Sequence, residues 1–287
     1  MTKPQKMTVQ QFFARFPDDA ACLEHIMKVR FGLEHHCRKC GALARFKKMA
    51  ERPAFFCEHC WDHVYPCAGT VLQDTRTPLQ SWFYAMYLFV TTRHGVSGKE
   101  LQRVLGVTYK TAWRMGHQIR KLMDQSDVFH ALKGHVEIDE SYVGGHTPGK
   151  PGATPGAKTI VLGMKERGGR TVTQVIPNTK MRTIKPIVLE TIEEGTTIST
   201  DELLSYGLLT GYGYKHDTIK HRAKEYVRGE THVNSIESFW KLFKHSVRGT
   251  HIHISPKHMD KYLREFTFRA NHREKQNAMF DLLVASI

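Results

Sequence analysis

Val136-Glu137-Ile138-Asp139-Glu140-Ser141-Tyr142-Val143 is the stretch on which the fold turns. Side chains alternate along a strand, so Val136 and Ile138 share one face and Glu137 and Asp139 the other. Asp139 closes the apolar run, where a sheet exposes chemistry. Glu140 points away from Asp139 and is the alternative ligand. Glu137 lies deeper on the Asp139 face and is expected to make a salt bridge. A second run, Thr197-Ile198-Ser199-Thr200-Asp201, ends on an acid in the same way.

Working outward, Thr159–Lys165 and Thr171–Ile176 read as further strands, and Met181–Glu194 as a helix stopped by Gly195. A short helix over Leu203–Leu209, a strand near Tyr214–Thr218 and helices from Asn234 and from Pro256 follow. At about 100° per residue, Asn234, Glu237, Lys241 and Lys244 fall within an arc of about 80°. Ile236, Phe239, Trp240, Phe243 and Val247 occupy the opposite side, so one face packs on a sheet. Taken alone, this is an ordinary amphipathic helix with an i, i+4 Glu–Lys pair. Together with two acids at strand ends, it describes a site that holds divalent ions against phosphate.

Upstream, Cys37-x2-Cys40 and Cys57-x2-Cys60 are separated by sixteen residues. Each pair places two thiolates on a tight turn, and the two turns close a tetrahedral structural zinc site. Gly41 is the turn residue after the first pair. Cys22 and Cys67 stand outside the pattern and read as buried small hydrophobes.

Between ribbon and strands the pattern is helical, from Pro78 to about Met123. Ser97 caps one helix over Gly98–Leu105, Gly106 permits a sharp turn, and Thr108 caps a second. Leu101, Val104, Leu105, Val107, Ala112 and Ile119 are assigned to the packed side. Tyr109, Lys110, Thr111 and Arg114 then stand at the exposed start of the second helix, as base-reading residues do in a helix-turn-helix. A plain α-domain accounts for the same segment. Lys99, Arg103, Arg120 and Lys121 are phosphate contacts or a solvated face.

Lys and Arg number 42 against 28 acids, a net charge of +14, which suits a polyanion partner. Gly144–Lys158 is rich in Gly and Pro, carries two lysines and reads as a loop. It spells G-x-x-x-x-G-K, but Pro151 follows where Ser or Thr must hold magnesium. There is no H-E-x-x-H and no G-x-S-x-G. Met1–Phe16 lacks a signal-peptide core, and the apolar run Trp82–Val90 is too short to cross a bilayer. A cytoplasmic protein is expected.

The ribbon cysteines, Ile138-Asp139-Glu140-Ser141-Tyr142-Val143-Gly144-Gly145, Thr200-Asp201 with Tyr206, and His232-Val233-Asn234-Ser235-Ile236-Glu237-Ser238-Phe239-Trp240 also carry a resemblance. So do Leu242-Phe243-Lys244 and Glu265-Phe266-Thr267-Phe268-Arg269-Ala270-Asn271. Through nearly its whole length the chain resembles bacterial insertion-sequence transposases that join an N-terminal zinc ribbon to a DDE catalytic domain. The resemblance implies an α/β, RNase H-like mixed sheet flanked by helices. It assigns the acidic triad to Asp139, Asp201 and Glu237, with Lys244 as the lysine that follows the glutamate. It further implies two Mg²⁺ or Mn²⁺ per active site, one structural Zn²⁺, and double-stranded DNA as partner. Joining two ends implies a homodimer or larger assembly on DNA, with Asn234 and Lys241 beside the phosphates. The expected divisions are residues 1–32 (helical), 33–72 (ribbon), 73–130 (helix-turn-helix) and 131–287 (catalytic). A nuclease that never joins ends and a zinc-ribbon regulator with a retired core are the competing readings.

Overall fold

The structure, a computed structural model, describes residues 7–144, 158–202, 209–219 and 227–287. Most of the loop expected over Gly144–Lys158, including Lys150, lies outside the described residues, as do Tyr206 and nearly all of the short helix at Leu203–Leu209. The chain divides into two compact units, Met1–Ser126 with Glu274–Ile287, and Asp127–Arg273.

The first unit opens with α1 (Val9–Arg15) and α2 (Asp19–Arg30). Thr8 and Gln11 form a capping box at the start of α1, and Asp18 accepts from the Ala21 N–H at the start of α2. Four short antiparallel strands follow in sequential order: β1 (Glu34–His36), β2 (Leu43–Lys48), β3 (Phe55–Cys57) and β4 (His63–Val64). Then come α3 (Leu79–Thr91), α4 (Gly98–Leu105) and α5 (Tyr109–Ser126). Ser97 accepts from the Glu100 N–H, Thr108 accepts from the Thr111 N–H, and Gly106 turns the chain at φ 65°. The apolar α3 buries Trp82, Phe83, Met86 and Phe89 completely. The last helix, α9 (Gln276–Ala285), packs on α2, α3 and α5 of this unit. Phe12, Phe16, Phe83 and Phe280 meet there with ring centroids 4.9 to 6.0 Å apart.

The second unit is a mixed sheet of β5 (His135–Val143), β6 (Thr159–Glu166), β7 (Thr171–Ile176), β8 (Thr197–Thr200) and β9 (Lys215–Thr218), in the order β7-β6-β5-β8-β9. β5, β6 and β7 are antiparallel neighbours, while β8 and β9 run parallel to β5. Val136, Ile138, Leu162, Met164 and Ile198 face α6 (Met181–Thr191) through Ile184, Ile187 and Val188. On the other face Val143 and Val161 meet α7 (Asn234–Ser246) and α8 (Met259–Asn271) through Phe239, Trp240, Phe243 and Phe266. This is the α/β, RNase H-like layering that the resemblance implied. Asn271 pins the end of α8 to the sheet. Its Oδ1 accepts from the Thr171 N–H at 2.7 Å, and its Nδ2 donates to Asp127 at 2.8 Å.

Candidate functional site

The sheet topology delivers the first two acids to one edge. β5 and β8 are parallel and in register, with Ile138 opposite Thr200 as the last pair. One step further lie Asp139, still inside β5, and Asp201, just past the carboxyl end of β8, where open α/β sheets place ligands. β8 ends there, and β5 runs on to Val143 with no strand beside that edge among the described residues. Glu140 joins the group: carboxylate oxygens of Asp139, Glu140 and Asp201 all lie within 4.8 Å of one another. Alternation alone sends Glu140 to the other face, yet its carboxylate reaches the Asp139 group. The Thr200 hydroxyl, bonded to the Asp201 carbonyl at 2.8 Å and to His216 Nε2 at 2.9 Å, fixes the turn out of β8.

Burial, reinforced by repulsion from Glu140, Asp201 and Glu237, pushes the Asp139 carboxyl up to about 7. Glu237 stands in the first turn of α7 on its exposed side and does not join the 4.8 Å group, yet its charge acts on Asp139. Oxygens bound to one Mg²⁺ at about 2.1 Å are at most ~4.2 Å apart, so a small side-chain adjustment suffices for chelation. An all-oxygen, anionic donor set of this kind suits a hard divalent cation. Asn234 and Lys241 are exposed on the same side of α7, with Lys244 half-buried two turns beyond Glu237.

Two features that hold this helix in place were missed in the sequence. Gly163 pairs with Asp139 across β5 and β6. A Cβ there would stand 2.4 Å from the Trp240 ring and 2.9 Å from Ile236 Cδ1, so the glycine lets α7 lie close. A lone glycine inside a strand was the signal that could have found it. The second is Glu137. It is fully buried, and the expected salt bridge is present, with Arg167 Nε 3.0 Å away. Its other oxygen accepts from the Ser235 and Ile236 N–H groups at 2.7 and 3.0 Å, capping α7.

In the first unit, sulfur atoms of Cys37, Cys40, Cys57 and Cys60 lie within 4.8 Å of one another. Cys37 and Cys60 are 3.6 Å apart and Cys40 and Cys57 3.9 Å. Sulfurs about 2.3 Å from a tetrahedral zinc are ~3.8 Å apart, so the cluster fits such an ion. Backbone N–H groups of Cys40 and Lys39 bring the Cys37 thiol down to about 7. Each knuckle closes on a positive φ, at Gly41 (72°) and at Trp61 (60°), whose indole stacks on Phe56 at 4.8 Å. Burial raises the Cys22 thiol to about 12, in keeping with a core residue.

On α5, Tyr109, Lys110 and Arg114 are exposed and Thr111 is half-buried. Two assignments in this region are corrected. Val104, placed on the packed side, is 48% exposed, because α4 buries itself through Leu101 and leaves Val104 toward solvent beside Arg103. Arg120 is buried, lies over the Phe89 ring and reaches the Val96 carbonyl at 3.4 Å, so it is not a phosphate contact.

The ISXO2-like transposase domain, as a family, matches residues 131–271. The chain is 26% identical over 264 residues to an uncharacterized protein in the transposable element ISH50 of Halobacterium salinarum, an alignment covering 85% of this chain and 88% of that one. It is 28% identical over 102 residues to an uncharacterized transposase-like protein of Haemophilus influenzae, covering 36% and 81%.

Proposed function

We propose, for a chain that belongs to the insertion-sequence transposases and carries an ISXO2-like transposase domain over residues 131–271, metal-dependent DNA strand cleavage followed by strand transfer. The observation that carries this reading is the meeting of Asp139 and Glu140 on β5 with Asp201 at the end of the parallel β8, with Glu237 close enough to act on Asp139. Asp139, Asp201 and Glu237 would hold two Mg²⁺ or Mn²⁺ ions, with Glu140 as a further carboxylate. Such ions, when bound, stabilise attacking and leaving oxygens in an in-line displacement at phosphorus. Lys244, Lys241 and Asn234 hold phosphate oxygens along α7.

In the first step water attacks a phosphorus at the element end. The bond to the 3′-oxygen breaks, which leaves a 3′-hydroxyl and a 5′-phosphate. That hydroxyl then attacks a phosphodiester of target DNA, and the displaced 3′-oxygen departs as a hydroxyl. Tyr109, Lys110, Thr111 and Arg114 hold the terminal inverted repeats, beside a ribbon closed by one structural Zn²⁺ on Cys37, Cys40, Cys57 and Cys60. Two ends are joined by a homodimer or larger assembly, in the cytoplasm. Among the described residues no helix is long and apolar enough to cross a membrane.

The test uses the full chain, Mg²⁺ and a duplex bearing the element end, with Asp139→Ala, Asp201→Ala and Glu237→Ala as variants. Each variant is expected to bind the duplex as the parent does and to cut none of it; a cutting variant removes that residue from the site. A pre-cut end with a free 3′-hydroxyl is expected to be inserted into a plasmid. Cleavage without insertion would make the protein a nuclease.

A further inference from the structure

Beneath the acidic cluster lies a partly buried polar chain that the functional reading does not use. Ser199 on β8 is fully buried and bonds His135 Nε2 on β5 at 2.7 Å. His135 Nδ1 lies 3.1 Å from Arg167 Nη1, and Arg167 Nε donates to Glu137 Oε1 at 3.0 Å. Arg167 Nη2 donates to the carbonyl of His232, the second residue before α7, at 3.1 Å. His232 Nδ1 is 3.1 Å from Glu137 Oε1, close enough for an ion pair but without hydrogen-bond alignment, so the weight rests on the other contacts. Glu137 Oε2 takes the Ser235 and Ile236 N–H groups of α7.

The registers give this chain its meaning. Glu137 and Ser199 are paired across β5 and β8. Asp139 lies two residues beyond Glu137 on the same sheet face, and Asp201 lies two residues beyond Ser199, just past the end of β8. Glu237 lies two residues beyond Ser235 and one beyond Ile236, the amides that Glu137 holds. One polar chain therefore grips each of the three elements that carry the acids, just below the acid itself. A carboxylate accepting two amides at a helix start, with an arginine behind it, fixes both the axial position and the rotation of α7.

We propose that Glu137, Arg167, His135, Ser199 and His232 are positioning residues that set the spacing of Asp139, Asp201 and Glu237 for metal binding. The inference rests on the metal-dependent reading of that cluster. Groups behind metal ligands typically change affinity or activity about 10–100-fold when altered.

Mn²⁺ alone is the probe, with free Mn²⁺ followed by electron paramagnetic resonance in the full-length wild type, Asp139→Ala, Glu137→Gln and Ser199→Ala. Glu265→Gln is the control: Glu265 is fully buried on α8 and pairs with Arg269 at 3.2 Å. Glu137→Gln is expected to weaken the Asp139-dependent Mn²⁺ site at least tenfold and to speed hydrogen exchange at the Ser235 and Ile236 amides. It should lower kcat for end cleavage with KM for DNA unchanged. Ser199→Ala, a milder change that keeps the fold if Glu137→Gln does not, is expected to weaken Mn²⁺ at least threefold. Glu265→Gln should lose stability and keep its Mn²⁺ affinity. Wild-type Mn²⁺ binding that depends on Asp139 and stays within twofold in the folded network variants overturns the network alone. So does an equal loss in Glu265→Gln. Absence of Asp139-dependent binding in the wild type overturns the functional reading, and the network with it.

Discussion

Asp139 shows how a residue proposed for the chemistry can be costly to the fold. Its carboxyl rises from 3.8 to about 7, first through burial and then through the acids around it. Below pH 3.8 the proton is bound in the folded and unfolded chains alike, and the stabilisation relative to the ionised form is fully present. Between 3.8 and about 7 only the folded chain keeps the proton, so stability falls as pH rises and is lost above about 7. Asp139→Asn is therefore expected to raise the thermal midpoint of the metal-free protein at pH 8, by roughly 1–2 kcal/mol or about 3–6 °C. The gain should vanish below pH 4, and Mn²⁺ should raise the wild-type midpoint without raising that of the variant. Melting curves across pH, with and without Mn²⁺, decide it; a wild type more stable than Asp139→Asn at pH 8 without metal would refute the account. Gly41 offers a second test. Its φ is 72° and nothing stands within 4 Å of an added Cβ, so Gly41→Ala meets backbone strain alone. A loss of about 1 kcal/mol is expected, read as weaker retention of zinc against a chelator.

Among the elements, α7 depends on what lies under it. Gly163→Ala drives a methyl into Trp240 and Ile236, directly opposite Asp139. Overpacking of this kind costs about 1–3 kcal/mol, and relief by lifting α7 would carry Glu237 with it. Cleavage is expected to fall at least tenfold with the helical and sheet content unchanged by circular dichroism; undiminished cleavage would show that α7 tolerates the displacement. The amphipathic pattern of α7 was legible because its apolar spacing is local, and so were the strand that carries Asp139, the strand end at Asp201 and the four ribbon cysteines, but Asp139 closes only the apolar run, since β5 continues to Val143. Contacts between distant residues were not. The Glu137 cap joins residues 98 and 99 positions apart, and no spacing rule reaches that far. Glu140, ranked on alternation as the alternative ligand, joins Asp139 and Asp201, because alternation fixes the face a residue leaves from and not how far a long carboxylate reaches. Arg120 looked like any surface arginine until Phe89 and Val96 were seen around it. Helix α9 follows the sheet unit in sequence yet packs with α2, α3 and α5, since an apolar helix does not declare its partner.

Across the whole molecule, under the proposed function, a net charge of +14 and a cluster of half-buried acids ask for different things from the same DNA. The cations supply affinity by displacing counterions from phosphates, and that contribution weakens as salt rises. The acids supply no affinity of that kind, because they face phosphate only through a cation. Binding and chemistry should therefore separate under mutation. With Mg²⁺ replaced by Ca²⁺ to prevent turnover, the logarithm of end affinity should fall linearly with the logarithm of salt concentration. Six or more phosphate contacts would cost about 10³-fold between 50 and 200 mM. Lys110→Ala should lower that slope by about one if Lys110 touches phosphate, and weaken end and random duplex alike. Arg114→Ala, if Arg114 reads a base edge, should instead cost about 1–3 kcal/mol on the element end and little on random duplex. Asp139→Asn should leave both slope and affinity unchanged while cleavage is lost. Filter binding or fluorescence anisotropy across a salt series reads all of these. Unchanged affinity and slope in both α5 variants would remove the start of α5 from the DNA surface, and the ribbon would become the next segment to test.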